Sequence, residues 1–271
     1  MKKIMKKLKK LKSTLLSKEI ILIYQMGKVG STTIEKSLEK LGKNNVYHIH
    51  HFFKEPSLEN IKINSNLKLF IKSNRENIFF KLKRLTLYIF CRIKKVKIIT
   101  LTREPIERNI SMFFQDFPQV LYENYFINPR RNEMTQNQIF KLFEENFNHE
   151  LPLRWFDEEI KRYFSVDIYN YPFDKESGYS IIKESNIDMF VCKLEKLNFL
   201  ENELKEFLEL DEFKLEDSNS SRVKWYYYLY KEFKKNYIPN KHYLNSMYNS
   251  RFINHFYTVE EIEIFKKKWG N

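Results

Sequence analysis

The sequence predicts an α/β fold with a central, mainly parallel sheet and helical additions, and three observations predict it. Two apolar, β-branched runs, Ile20 to Tyr24 and Lys97 to Thr102, are each followed at once by a turn and a helix-period pattern. Two of only five glycines, Gly27 and Gly30, fall in the turn after the first run. With 271 residues, 42% hydrophobic and 16% aromatic, the chain can build a sizeable core without an internal repeat or a glycine-rich linker. Residues 19–271 therefore read as a single domain behind a basic segment at residues 1–18.

The first run, Ile20-Ile21-Leu22-Ile23-Tyr24, is a buried strand. The turn Met26-Gly27-Lys28-Val29-Gly30-Ser31-Thr32-Thr33 follows, then a helix pattern through Ile34, Leu38 and Leu41. Strand, glycine turn with a lysine and hydroxyls, then helix is the layout of a phosphate cradle: backbone N–H groups at the helix start face the anion and the lysine adds a full charge. A plain strand-to-helix connection would also read this way. Val29 stands directly after Lys28, where nucleotide hydrolases place the Ser or Thr that holds magnesium, so the expected ligand is a phosphate held without a metal.

Val46 to Phe52 reads as a second strand carrying His48, His50 and His51, with His48 and His50 on one face and His51 on the other. Histidine titrates near neutral pH and can take a proton from a hydroxyl. Two histidines at i and i+2 could also bind zinc, but no third ligand is evident, and no metal is expected. Residues 58–95 mix Leu, Phe and Lys at helical spacing, so one or two helices are expected. Lys72, Arg75, Lys81, Lys83 and Arg84 there form either a groove for an acidic glycan or a solvated face.

Lys97 to Thr102 is the next buried strand, and Arg103 stands at its end. Pro105 suits a first helical position, Glu104 or Glu107 a first turn, and Arg108 and Ser111 share one helix face. Only eleven of the 48 basic residues are arginines, the side chain that grips phosphate through paired hydrogen bonds. Surface pairing of Arg103 and Arg108 with Glu104 and Glu107 is the other reading. Residues 116–165 suit a wall or lid, Val166 to Tyr169 and Asp188 to Leu194 read as strands, and Leu197 to Leu208 as one amphipathic helix. The polar loop Asp217 to Arg222 leads into a helix whose stripe Trp225, Tyr226, Tyr230, Phe233 reads as core.

Together, Lys28, Gly30, Ser31, Thr32 and Thr33 in the first loop and Arg103, Pro105, Arg108 and Ser111 after the later strand resemble the sulfotransferases that use 3'-phosphoadenosine-5'-phosphosulfate (PAPS). That resemblance implies a P-loop-like three-layer sandwich. It implies that Lys28, Val29, Gly30, Ser31, Thr32 and Thr33 hold the 5'-phosphosulfate, that Arg103 and Ser111 hold the 3'-phosphate, and that Arg222 in the loop is a further phosphate contact. Gly27 stands where many members have proline. By analogy with glycan sulfotransferases that use a His-x-His pair, His50 is the first choice of catalytic base and His48 the second, with Lys28 neutralising the leaving nucleotide. A narrower resemblance, carried by Lys224-Trp225-Tyr226, Tyr230, Met247 to Arg251, His255-Phe256-Tyr257 and Lys267-Lys268-Trp269, is to a capsular polysaccharide synthesis family named for an Asn-Lys-Trp-Tyr-Ser motif; Val223 and Tyr227 replace its Asn and Ser. It implies a bacterial cell-surface glycan, capsular or lipopolysaccharide, as acceptor.

The expected partners are therefore PAPS or its product PAP and a glycan. A sugar kinase or other nucleotide-dependent transferase is the second reading, and a noncatalytic membrane- or nucleic-acid-binding protein the third. The net charge of +13 favours anionic partners. Much of it lies in Met1 to Lys12, where Ile4, Leu8, Leu11 and Leu15 share a helical face, so residues 1–16 are expected to touch an anionic membrane. No nucleic acid is expected. The segment lacks the apolar stretch of a secretory signal, and Cys91 and Cys192 do not form a disulfide framework, so the expected place is the cytoplasm, at the inner face of the cell membrane.

Overall fold

The structure is a computed structural model that describes residues 13–43, 45–53, 78–125, 135–216 and 224–270. Residues 1–12, Lys72, Arg75 and the loop with Arg222 lie outside the described residues. The described residues fall into two compact units.

The first unit, within Met1–Phe53, Lys81–Arg103 and Glu159–Ser220, holds a five-stranded sheet in the order β2-β1-β3-β5-β4. Its strands are β1 (Glu19–Tyr24), β2 (Val46–Ile49), β3 (Lys95–Thr102), β4 (Tyr179–Glu184) and β5 (Ile187–Lys193). The first three and β5 run parallel, and only β4 pairs antiparallel. Continuous Ile, Leu and Val runs suit strands buried on both faces: Ile20 through Tyr24 and Val96 through Thr102 are all buried. The mixed α/β class with a mainly parallel sheet is as the sequence predicts.

After β1 the chain enters helix α1 (Thr32–Lys40) and returns as β2 on one side of β1, whereas β3 pairs on the other side. The strand order therefore reverses beside the carboxyl ends of β1 and β3, where open α/β sheets bind ligands. Helix α2 (Ile78–Ile93) leads into β3 and buries Leu87 and Cys91. Burial raises the Cys91 thiol to about 12, and Cys192 is likewise buried and raised, so both are inert packing residues.

Four local features differ from the sequence reading. Val166 to Tyr169 is no strand: the Asp167 carboxylate accepts from Tyr169 N–H and starts a 3-10 turn at Ile168–Asn170. The edge strand β4 was not anticipated, because its solvated face leaves a weak apolar pattern. The helix expected over Leu197 to Leu208 is a 3-10 segment, Leu194–Phe199, followed by α6 (Glu201–Phe207). Strand β2 also ends at Ile49, two residues short of His51.

The second unit, within Lys54–Phe80, Glu104–Glu158 and Ser221–Asn271, is helical as described. Its helices are α3 (Pro105–Tyr125), α4 (Gln136–Asn146), α5 (Leu151–Trp155), α7 (Tyr227–Asn236), α8 (Lys241–Tyr248), α9 (Arg251–Phe256) and α10 (Val259–Trp269). Short polar residues start them: Thr135 and Thr258 form capping boxes with Gln138 and Glu261, while Asn240 and Ser250 accept from Tyr243 and Ile253 N–H. Its core is aromatic, with Phe113 packed edge-on against Phe114 and Phe143, and Phe233 against Phe114, Phe140 and Phe143. Tyr226 and Phe233 are buried as expected, but Trp225 is exposed and is not core.

Candidate functional site

The loop after β1 takes three left-handed residues in four: Gly27 (φ 81°), Lys28 (φ 63°) and Gly30 (φ 80°). Within this turn the pair Val29-Gly30 sets an ordinary residue before a left-handed one, the alternation that turns successive N–H groups toward one side as in an anion nest. At Gly30 glycine is also required by space, since a Cβ would lie 2.3 Å from Leu194 Cδ1. Val29 is fully buried, which pins the loop and leaves only its backbone for a ligand. Lys28, Thr32 and Thr33 are half-buried at the loop and helix start. Arg103, the residue after β3, donates from Nη1 to the carbonyl of Lys28 at 2.9 Å. Arg103 and the loop, 75 residues apart in sequence, thus meet at the strand-order reversal.

Gln25 organises the other side of the loop. Its Oε1 accepts from Gly27 N–H, and its Nε2 lies 2.7 Å from Ser31 Oγ, 3.0 Å from His48 Nε2 and 2.9 Å from His50 Nδ1. Ser31 is the N-cap of α1, yet its hydroxyl makes no cap bond and lies 3.0 Å from His48 Nε2. One turn on, Glu35 Oε2 lies 2.7 Å from His48 Nδ1. A carboxylate only accepts, so the Nδ1–H of His48 points at Glu35 and the lone pair of neutral His48 is on Nε2. Glu35, His48 and Ser31 form a line in which the carboxylate fixes the ring and Nε2 is the acceptor. His50 Nδ1 lies against both the Gln25 side-chain amide and, at 3.0 Å, the Gln25 carbonyl, so its tautomer has no comparable anchor in these contacts.

His51 faces the other way, although it stands beyond the end of β2 at Ile49. It is buried, with Nδ1 3.0 Å from Glu159 Oε1. Glu159 also accepts from Tyr24 Oη and, at 3.2 Å, from Phe52 N–H. Burial, then Glu159, hold the Tyr24 phenol well above its usual range. This is an internal polar cluster that fastens β1, the end of β2 and the π-helical turn Phe156–Lys161 that carries Glu159.

In the second unit, Ser111 is half-buried on α3 and Arg108 is fully buried, with Nη1 3.1 Å from Asn109 Oδ1. Glu104 is buried at the head of α3, where its carboxylate accepts from Ile106 N–H at 2.8 Å and Glu107 N–H at 2.7 Å. Tyr248 Oη donates to it at 2.8 Å and Trp269 Nε1 at 3.4 Å. Desolvation nevertheless pushes this carboxyl up to about 7. Glu107 pairs with Lys234 and Lys268.

Residues 130–258, a little under half the chain, match the family model described as "Putative capsular polysaccharide synthesis protein". No curated protein and no solved structure matched the chain. The matched segment includes Lys224, Trp225 and Tyr226, and several of its aromatic residues belong to the core of the second unit. Tyr226, Met247, Tyr248, Phe256 and Tyr257 are buried, and Tyr248 holds Glu104. The loop at Lys28 to Thr33, His48, His50, His51, Arg103 and Ser111 all precede the match.

Sequence reasoning missed Gln25 and Glu35. Glu35 had a usable signal: it stands four residues after Ser31 on a helix that follows the loop, which puts both on one face. Gln25 had none, being a lone amide at a strand end. No group of three metal-ligating side chains occurs among the described residues.

Proposed function

We propose that this protein is a sulfotransferase that moves a sulfuryl group from PAPS to a hydroxyl of a bacterial cell-surface glycan. The observation that carries the reading is the bond from Arg103 to the carbonyl of Lys28, which joins a glycine-rich anion nest to an arginine at the end of β3. The donor set fits a phosphosulfate: two cations, the hydroxyls of Thr32 and Thr33, and left-handed backbone, with the Ser31 hydroxyl engaged by Gln25 and His48 and its backbone left for the anion. The match to a capsular polysaccharide synthesis family favours a surface glycan as acceptor.

In this reading His48 Nε2 takes the proton of the acceptor hydroxyl, and Glu35 steadies the imidazolium that results. His50, first choice from the sequence, becomes a neighbour that shares Gln25. The sugar oxygen attacks sulfur, the bond from sulfur to the bridging oxygen breaks, and Lys28 offsets the charge left on that oxygen of PAP. Arg103 is assigned to the 3'-phosphate. Val29, where a magnesium-binding hydroxyl would follow the lysine, weighs against a kinase.

The test is release of PAP from PAPS in the presence of extracted capsular or lipopolysaccharide glycans. The wild-type protein should transfer sulfate to one of these fractions, and His48→Ala should lower turnover by about 100-fold or more. Magnesium-dependent consumption of ATP with phosphate appearing on the glycan would instead establish the kinase reading.

A further inference from the structure

Helix α2 presents an apolar stripe to solvent. Leu87 and Cys91 face inward, while Leu82, Leu85, Ile89 and Ile93, spaced by three, four and four residues, lie on the opposite face and are exposed, Ile93 by 70%. Solvent-facing helix surfaces are normally polar, so a row of four large aliphatic side chains marks a contact surface. The stripe extends beyond the helix. Lys94 Nζ donates to the carbonyls of Thr14 at 2.9 Å, Leu15 at 3.0 Å and Ser17 at 2.6 Å, which holds the helical turn at residues 13–16 against the end of α2. Leu15 and Leu16 on that turn are exposed, Leu16 by 74%.

The sequence of this helix carries one sign of charge. From residue 78 to residue 94 there are five basic residues, Lys81, Lys83, Arg84, Arg92 and Lys94, and no Asp or Glu; of these, Arg84 faces the buried Tyr24 and Glu159 and does not border the stripe. Lys81 and Lys83 are exposed. Arg92 donates to the Tyr88 hydroxyl at 2.7 Å and the Tyr163 carbonyl at 3.0 Å, and Lys94 to carbonyls, all neutral partners. An apolar stripe bordered by cations is the pattern of a helix that lies in the plane of an anionic bilayer, with aliphatic side chains among the acyl chains and Lys or Arg at the headgroups. No helix among the described residues is long and apolar enough to cross a membrane, so contact here would be lateral.

We propose that α2 and the turn at residues 13–16 form a docking surface for an anionic lipid bilayer. This extends the sequence expectation for residues 1–16 to a folded face of the first unit, and it is independent of the sulfotransferase reading. The experiment is flotation of the full-length protein with vesicles of equal parts phosphatidylglycerol and phosphatidylcholine, against vesicles of phosphatidylcholine alone. The wild type should float with the anionic vesicles only, and Leu85→Glu/Ile89→Glu should lower the partition coefficient at least tenfold while leaving the melting temperature in place, because both side chains are already exposed. Lys81→Ser/Lys83→Ser should weaken binding and its salt dependence together. Wild-type protein that stays with the soluble fraction, or a Leu85→Glu/Ile89→Glu variant that floats like wild type, would overturn the proposal. So would a wild-type dimer in sedimentation that the same double substitution splits, since the face would then serve a second copy of the chain.

Discussion

Arg103 Nη1 reaches the carbonyl of Lys28 at 2.9 Å, so the residue that ends β3 closes the loop that follows β1. That bond ties a guanidinium to the backbone of a lysine in a loop with three positive-φ residues. It also makes the loop's shape depend on several small features that can be tested separately.

Gly30 is the first. Its φ of 80° and the 2.3 Å approach of a Cβ to Leu194 Cδ1 predict that Gly30→Ala destabilises the protein by about 1–3 kcal/mol, read from the urea midpoint. Leu194→Ala in the same chain should recover only the part due to the clash. A Gly30→Ala midpoint equal to wild type would show that the left-handed turn is not required.

Glu35 acts through His48 and should separate binding from turnover. Glu35→Gln replaces an acceptor-only partner with an amide that can face His48 Nδ1 either way, so turnover should fall about 10- to 100-fold, the range of a lost charge-assisted hydrogen bond. Affinity for PAP should stay within twofold. Nitrogen NMR of the labelled imidazole should show His48 losing its predominant Nδ1–H tautomer, a change that a purely structural Glu35 would not produce.

Glu104 predicts a pH dependence of stability with a definite sign. Its carboxyl is raised from 4.5 to about 7 by desolvation, so between these values the folded state holds a proton that the unfolded chain has released. Stability should therefore be greatest below pH 4.5 as far as this group is concerned, fall as pH rises to about 7, and then level off. The full fall is on the order of 3 kcal/mol. Urea unfolding of Glu104→Gln across that window should show a flatter profile than wild type; an equally steep one would assign the slope to other groups.

The sequence made the sheet legible because its strands are buried on both faces: β1 and β3 appear as Ile, Val and Leu runs, and β5 as the apolar run Met189 to Cys192, that no helix pattern mimics over that length. The exposed edge β4 carries Lys183 and Glu184 and left no such run. The loop was legible for a different reason, since glycine is scarce and two of five glycines stand together. Side-chain partners were hidden. Nothing local tells that His51 turns to Glu159, more than one hundred residues away, while His48 turns to Glu35. Lys97 shows the same limit: it sits in the middle of an apolar strand pattern but is buried with its ammonium 2.7 Å from Glu209, a contact across 112 residues of sequence.

The central claim is that the loop and Arg103 bind a 3'-phosphoadenosine nucleotide, and calorimetric titration with PAP, with ATP as comparison and EDTA present, tests it most directly. Metal-free binding of PAP in preference to ATP is predicted, weakened about tenfold to a hundredfold in Arg103→Ala and less in Arg103→Lys, which keeps one charge-assisted contact. Absence of PAP binding, or tighter binding of ATP that appears only with magnesium, would contradict it.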